Sequence, residues 1–167
     1  YISDISGAFD KVFSNCLLAK LRQLGVGEVI LNFFAKYLKP RRAHVVVSGV
    51  KSEEFVIENM VYQGTVLGPL LWNTFFADVA VPATMKGERE VIFADDLNIF
   101  KLFDRREEDD VIREELASTR RRVHKWGRSN RVNFDASKEN MLIIDLSLGD
   151  GQDFKLLGIM FDSSLSM

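Results

Sequence analysis

The stretch Val91-Ile92-Phe93-Ala94-Asp95-Asp96-Leu97-Asn98-Ile99-Phe100 sets two adjacent carboxylates between two apolar runs. Short runs rich in valine, isoleucine and phenylalanine read as strands, here 91–94 and 97–103, with the acids at their junction. In one continuous strand Asp95 and Asp96 point to opposite faces. At the tip of a hairpin both reach one site, and aspartate tolerates the left-handed backbone such a turn needs. Two like charges about 4 Å apart repel by roughly 4 kcal/mol at an effective dielectric near 20, so the pair calls for water, a proton or a cation. A divalent metal ion is the economical answer.

Working outward, Asp4 ends a short strand at the start of the chain, and Asp10 follows six residues later. If that strand lies beside the 91–103 hairpin, Asp4 meets Asp95, and three carboxylates make a hard-oxygen site suited to magnesium. Two such ions about 4 Å apart serve phosphoryl and nucleotidyl transfer. Spacing alone leaves open the alternative of solvated turn acids.

The rest of the chain reads as alternating helices and strands. Leucines 17, 18, 21 and 24 have helical spacing, with Gly25 placed to stop the helix, and a second helix over 28–38 presents Ile30, Phe33, Phe34, Tyr37 and Leu38. The Gly25-Val26-Gly27 pair lacks the third glycine and preceding strand of a dinucleotide fingerprint, so it reads as a helix boundary. Residues 43–47 and 54–57 suggest a hairpin, and Gly68-Pro69 opens an apolar helix reaching about residue 79. A long helix over 104–131 carries Ile112, Leu116, Thr119, Val123 and Trp126 on one stripe, acids at its start and arginines at its end. Its basic run, Arg120 to Arg128, is either a phosphate-contacting stripe or a solvated face. Two strands, 141–146 and 154–161, joined by Gly149-Asp150-Gly151, complete the pattern. This order predicts one domain of mixed α+β architecture.

Composition excludes several alternatives. The 167 residues are 47% hydrophobic and 28% charged, the profile of a globular domain that buries roughly 70% of its unfolded surface. A single cysteine, Cys16, excludes an internal disulfide, and it reads as a packed thiol rather than a nucleophile. His44 and His124 are not spaced as metal ligands. No run approaches the 18 or so apolar residues of a membrane helix. With 22 basic against 24 acidic residues, the chain does not bind nucleic acid through bulk positive charge, although a local groove or other domains can supply it.

Five segments, SDISGAFDKV (3–12), YQGTVLGPLLWN (62–73), FADDL (93–97), NFDASKENM (133–141) and LLGIMFD (156–162), occur in an order and spacing that resembles the reverse transcriptase of non-long-terminal-repeat (LINE-like) retrotransposons. The resemblance implies a polymerase palm across 1–167: a ferredoxin-like core, an antiparallel sheet with helices packed on one face, and a terminal strand and primer-grip-like hairpin within 140–162. It implies RNA-directed DNA synthesis with two magnesium ions, manganese being a substitute, held by Asp4, Asp95, Asp96 and the carbonyl of Ile5. Asp96 then shapes the site's field more than it ligates. Lys138 matches the basic residue that neutralises or protonates departing pyrophosphate, with a plain solvated lysine as the alternative. Phe9 falls at the steric gate against ribose, although a lone phenylalanine is otherwise a core residue. Gln63 and Gly64 fall beside the nucleotide and template base, and Leu157-Gly158 at the primer grip.

The implied partners are an RNA template, a DNA primer, deoxynucleotides and other domains of a parent polyprotein, with no membrane, in an intracellular setting compatible with the nucleus. Met60-Val61-Tyr62 departs from the family's Gly-Val-Pro, which puts the geometry of that loop in question. The chain begins almost on the first motif, which suggests a piece of a longer protein without fingers or most of the thumb, and little activity in isolation. The competing readings are a catalytically inactive remnant that at most binds nucleic acid, and a receiver-like phosphoacceptor module. A receiver places its acid pair early in a regular β/α alternation, whereas this pair comes at 95.

Overall fold

The computed structural model describes residues 1–144 and 153–161. In chain order the elements are β1 (Ile2–Asp4), a 3₁₀ turn (Ala8–Lys11), α1 (Ser14–Gln23), α2 (Glu28–Tyr37), β2 (Arg41–Ala43), β3 (Val46–Val47), β4 (Val50–Lys51) and β5 (Phe55–Ile57). They continue with α3 (Gly68–Phe76), a 3₁₀ turn (Ala77–Val79), α4 (Ala80–Ala83), β6 (Arg89–Phe93), β7 (Asp96–Phe100), α5 (Asp109–Asn130), β8 (Phe154–Leu156) and β9 (Ile159–Phe161). The expected mixed α+β architecture is observed.

The chain forms two compact units. One contains Tyr1–Ser6, Val79–Arg128 and the described residues from Asn133 on; the other contains Gly7–Asp78 and Ser129–Val132.

The first unit is built on an antiparallel sheet of order β1-β7-β6. Facing residues across antiparallel strands share a side of the sheet. Ser3 faces Leu97 on one side, and with Ile99 these are 1%, 0% and 3% exposed, so this side is core. The opposite side carries Asp4 facing Asp96, and Val91 facing Asn98. Val91 and Phe93 on that side are 49% and 64% exposed. The acids therefore lie on the more open side of the sheet. On α5, Thr119, Val123 and Trp126 are buried as the stripe predicts, and Trp126 packs at 6.4 Å from the Phe134 ring.

Helices make up most of the second unit, which packs Leu17 and Leu21 of α1, Leu31 and Phe34 of α2, and Leu71, Trp72, Phe75 and Phe76 of α3 into a core. Each such side chain contributes about 1.5–3 kcal/mol on burial. Trp72 lies between Phe9 and Phe76, at ring separations of 5.7 and 5.1 Å. The Lys20 ammonium crosses from α1 to the Phe75 carbonyl (2.6 Å) and Asp78 (2.7 Å) at the end of α3.

Several sequence expectations are corrected. On α2 the buried stripe is Leu31, Phe34 and Leu38, while Ile30 and Phe33 are 52% and 54% exposed. A helix this apolar offers two overlapping stripes, and periodicity does not choose between them. The 43–57 hairpin starts earlier and splits into two ladders, β2 with β5 and β3 with β4. The long helix starts at Asp109, because the Asp104 side chain accepts from the Arg106 N–H (2.9 Å) and holds 104–107 as a turn.

No strand occupies 141–144; its place is taken by one bridge at Asn140, and 145–146 lie outside the described residues, as does the 149–151 loop. Residues 154–161 form a hairpin of their own rather than one strand. Its turn is Leu157-Gly158, with φ of 49° and 85°. Two positive φ values match the twist of the flanking strands, and Gly158 takes one without strain.

Candidate active site

Asp4 is placed by backbone pairing alone. The β1–β7 register sets it opposite Asp96, and Phe93 opposite Asp96 closes the β6–β7 hairpin on Ala94 and Asp95. The adjacency left conditional by the sequence holds: the first strand lies directly beside the acid-bearing hairpin. At the tip it is Ala94, not an aspartate, that takes the left-handed conformation (φ 54°).

A fourth segment hangs on the free edge of β1. Ile5 bridges Phe134 and Ile2 bridges Asn140, with Asp135 N–H donating to the Asp4 carbonyl (2.9 Å). Ile2 and Asn140 exchange two backbone bonds of 2.8 and 2.9 Å. Between these bridges the chain buckles into a turn, in which Lys138 N–H donates to the Asp135 carbonyl and the Ser137 hydroxyl to the Asp135 carboxylate (2.6 Å). The buckle lets the Lys138 side chain fold back, and its ammonium forms an ion pair with Asp4 Oδ2.

The electrostatics follow from this crowding. Asp95 holds its proton above the usual aspartate range, chiefly through burial, then through the charge of Asp4, a carboxyl–carboxyl hydrogen bond to Asp4 and the charge of Asp96. A backbone hydrogen bond opposes the shift. Asp96 is also raised, by burial and then by Asp4, with Lys138 pulling the other way. Lys138 is raised by its hydrogen bond to Asp4 and by that carboxylate's charge, so it is cationic at neutral pH. Asp4, Asp95 and Asp96 are thus an acid trio whose repulsion is relieved by one cation.

As donors for a metal ion, the three carboxylates are hard oxygens of the kind magnesium takes, and Asp4 already holds a cation. Among the described residues no three His, Cys, Asp or Glu side chains are gathered into a metal-holding group as they stand. The donor chemistry fits a divalent cation, and Lys138 now occupies Asp4 Oδ2. Ile5 is 1% exposed and lies at the bridge to Phe134.

Phe9, Gln63 and Gly64 belong to the other unit. Phe9 is half-buried and stacks on Trp72, so packing accounts for one side of its ring. Its carbonyl accepts the Val61 N–H (2.8 Å), which ties the first motif's tail to the loop ahead of Gln63. Tyr62 is held by the Arg41 guanidinium, 4.2 Å from its ring centre, and by Tyr37 edge-on at 5.6 Å. The Thr65 hydroxyl closes the loop on the Tyr62 carbonyl (2.7 Å). Side-chain packing therefore fixes the loop in which Tyr62 stands where the family has proline. Leu157 and Gly158 lie at the tip of the β8–β9 hairpin.

Sequence reasoning missed the group beside Lys138. Glu139, its side chain 5% exposed, accepts from the Tyr1 hydroxyl (2.5 Å) and pairs with His124 Nε2 (2.6 Å) and Arg120 (2.8 Å). A partner 138 positions away leaves no local signal. The basic run on α5 is largely committed to acids: Arg120 to Glu139, Arg121 to Glu114 (2.5 Å) and Arg122 to Glu88.

The family profile described as "Reverse transcriptase (RNA-dependent DNA polymerase)" matches residues 1–161. The chain is 29% identical over 178 aligned residues to an RNA-directed DNA polymerase from mobile element jockey of Drosophila funebris, covering 98% of this chain and 19% of that protein. It is 38% identical over 93 residues to the jockey polymerase of Drosophila melanogaster, covering 54% and 10%. A probable RNA-directed DNA polymerase from transposon BS of the same species is 37% identical over 79 residues, covering 47% and 9%. The chain thus spans about a fifth or less of the length of these relatives.

Proposed function

The chain belongs to the reverse transcriptase family, and from that premise we propose that it is the palm, with a ferredoxin-like core, of a LINE-like retrotransposon polymerase that extends a DNA primer on an RNA template. The observation that carries this reading is the register of Asp4 against Asp96, with Asp95 next in the turn and the Lys138 ammonium on Asp4. The family and the chain's partial coverage of its relatives support template, primer, deoxynucleotides and further domains of a longer polyprotein as the proposed partners; no helix among the described residues is long and apolar enough to cross a membrane.

Asp4, Asp95, Asp96 and the Ile5 carbonyl would hold two magnesium ions, which when bound supply the charge that activates a primer 3′-hydroxyl and steadies the leaving pyrophosphate. Asp4 is buried and Asp95 and Asp96 are half-buried, which strengthens their field, because charges act more strongly out of water. Asp96, fixed across the strand pair from Asp4, holds that field in place. Lys138, kept protonated by Asp4, would present positive charge to the departing pyrophosphate, and would become able to donate its proton only once a cation displaces it from Asp4. In the second unit, Phe9 would serve as the gate under the sugar and Gln63 and Gly64 would contact the nucleotide and template base; in the first unit, the Leu157-Gly158 turn would touch the primer end.

The test is primer extension on an RNA template by a full-length polymerase carrying this chain. Asp95→Asn should lower the rate by about a thousandfold, the loss of several kcal/mol of transition-state stabilisation, while near-ultraviolet dichroism stays native. Unchanged extension by that variant rejects the assignment of the acids. The second reading, an inactive nucleic-acid-binding remnant, is favoured by the absence of a gathered metal-holding group among the described residues. It predicts template–primer binding without extension by the unsubstituted polymerase.

A further inference from the structure

Lys138 is a flexible, 61% exposed side chain whose ammonium nevertheless rests on a 9% exposed carboxylate. The turn that carries it is short, and the side chain that anchors its end is Glu139. Glu139 buries its carboxylate beneath the segment and gathers side chains from two other parts of the unit. On one oxygen it takes the Tyr1 hydroxyl at 2.5 Å and His124 Nε2 at 2.6 Å; on the other it takes Arg120 at 2.8 Å. His124 and Arg120 lie one turn apart on α5, and Tyr1 leads into β1, the strand that holds Asp4. Lys138 closes the 135–138 turn and Glu139 follows it directly, so a Glu139 carboxylate held by Tyr1, His124 and Arg120 fixes the exit of the turn from which the Lys138 ammonium reaches Asp4. The paired backbone bonds between Ile2 and Asn140 close the same segment one residue later.

We propose that Glu139 is a positioning residue, which, through Tyr1, His124 and Arg120, locks the 135–140 turn against β1 and α5 so that Lys138 is held on Asp4. The proposal rests on the polymerase reading only for its kinetic consequence, because the geometric consequence is measurable without turnover. A reacting group misplaced by about 1 Å can cost up to a hundredfold in rate, and supporting partners of functional groups are commonly worth tenfold or more.

Two measurements decide it. In the 167-residue chain, a water-soluble carbodiimide converts a lysine–carboxylate contact into an amide link, quantified by mass spectrometry. The Lys20–Asp78 pair in the other unit, 2.7 Å apart, is the internal reference. Glu139→Gln should lower the Lys138–Asp4 link several-fold relative to Lys20–Asp78, and Glu139→Asp should restore part of it. An unchanged ratio in Glu139→Gln overturns the proposal, and an equal fall of both links, reporting general unfolding, overturns it as well.

The second measurement is primer extension by the full-length polymerase carrying Lys138→Ala, Glu139→Gln or both. The expected outcome is a tenfold fall in kcat for each single variant, an unchanged KM for nucleotide, and a double variant no slower than Lys138→Ala. Multiplying single effects show that Glu139 acts apart from Lys138 and reject the link. If Lys138→Ala extends at the normal rate, the role of Lys138 in the polymerase reading fails, while the cross-linking ratio still decides the role of Glu139.

Discussion

Ala94 occupies a conformation that costs an L-residue with a β-carbon about 1–2 kcal/mol, at the tip of the hairpin that presents Asp95. Strain held at one turn beside three carboxylates is a marker of a functional site. A β-branched residue suffers more there, so Ala94→Val should destabilise the fold by about 1–2 kcal/mol, read as a lower urea midpoint with an unchanged slope. Phe9 poses the other question at this scale. Its ring is half-buried on Trp72, which accounts for an aromatic at this position, yet part of it stays exposed. Phe9→Ala should raise the ratio of ribonucleotide to deoxynucleotide incorporation in a full-length polymerase carrying the chain. An unaltered ratio assigns the ring to packing alone.

At the scale of elements, the start of α3 is set by a close approach. A β-carbon on Gly68 lies 2.9 Å from the Tyr62 carbonyl and 3.3 Å from the Thr65 hydroxyl, the same groups that close the Tyr62–Thr65 turn. Gly68→Ala should therefore cost about 1–3 kcal/mol by forcing that turn outward. Faster amide exchange at Thr65 and Gly68 is the local readout, and unchanged exchange shows that the loop is not seated on α3. Helices and strands themselves were largely legible: the 112-116-119-123-126 stripe and the apolar runs around Asp95 and Asp96 announce α5 and the β6–β7 hairpin. Their ends were not, because they depend on single contacts such as Asp104 to the Arg106 N–H. Over 141–144, the described part of the expected 141–146 strand, no strand forms for a similar reason. The 134–140 segment meets β1 at only two bridges, with the Lys138 turn between them.

Across the whole molecule, two buried glutamates tie distant parts together and give stability a pH dependence. Burial alone raises the pKa of Glu139, but hydrogen bonds from Tyr1, His124 and Arg120 outweigh it and leave the group below the usual glutamate value. Glu88 is likewise pushed up by burial and brought lower by backbone N–H groups, Thr119 and Arg122. A carboxylate depressed in the folded state adds stability above its unfolded pKa, and that stability is lost as pH falls through the folded value. Unfolding free energy should therefore drop between about pH 5 and pH 3, and Glu139→Gln or Glu88→Gln should make that drop shallower. Denaturant titrations at fixed pH values check this, and an equal drop in the variants removes the two glutamates as its source.

The sequence by itself carried most element types, the family and the candidate acids, because periodicity, turn chemistry and motif order are local properties of a chain. Asp95 and Asp96 between apolar runs, and Asp4 at the end of the first run, were readable without coordinates. Only the tertiary structure decided which groups meet. The register puts Asp4 opposite Asp96, the buckle at 135–138 brings Lys138 onto Asp4, and the Glu139 cluster joins Tyr1, Arg120 and His124. Those contacts span up to 138 positions, so no local pattern encodes them. They follow from strand register and from the cost of burying a charge unpaired, which are properties of the folded whole.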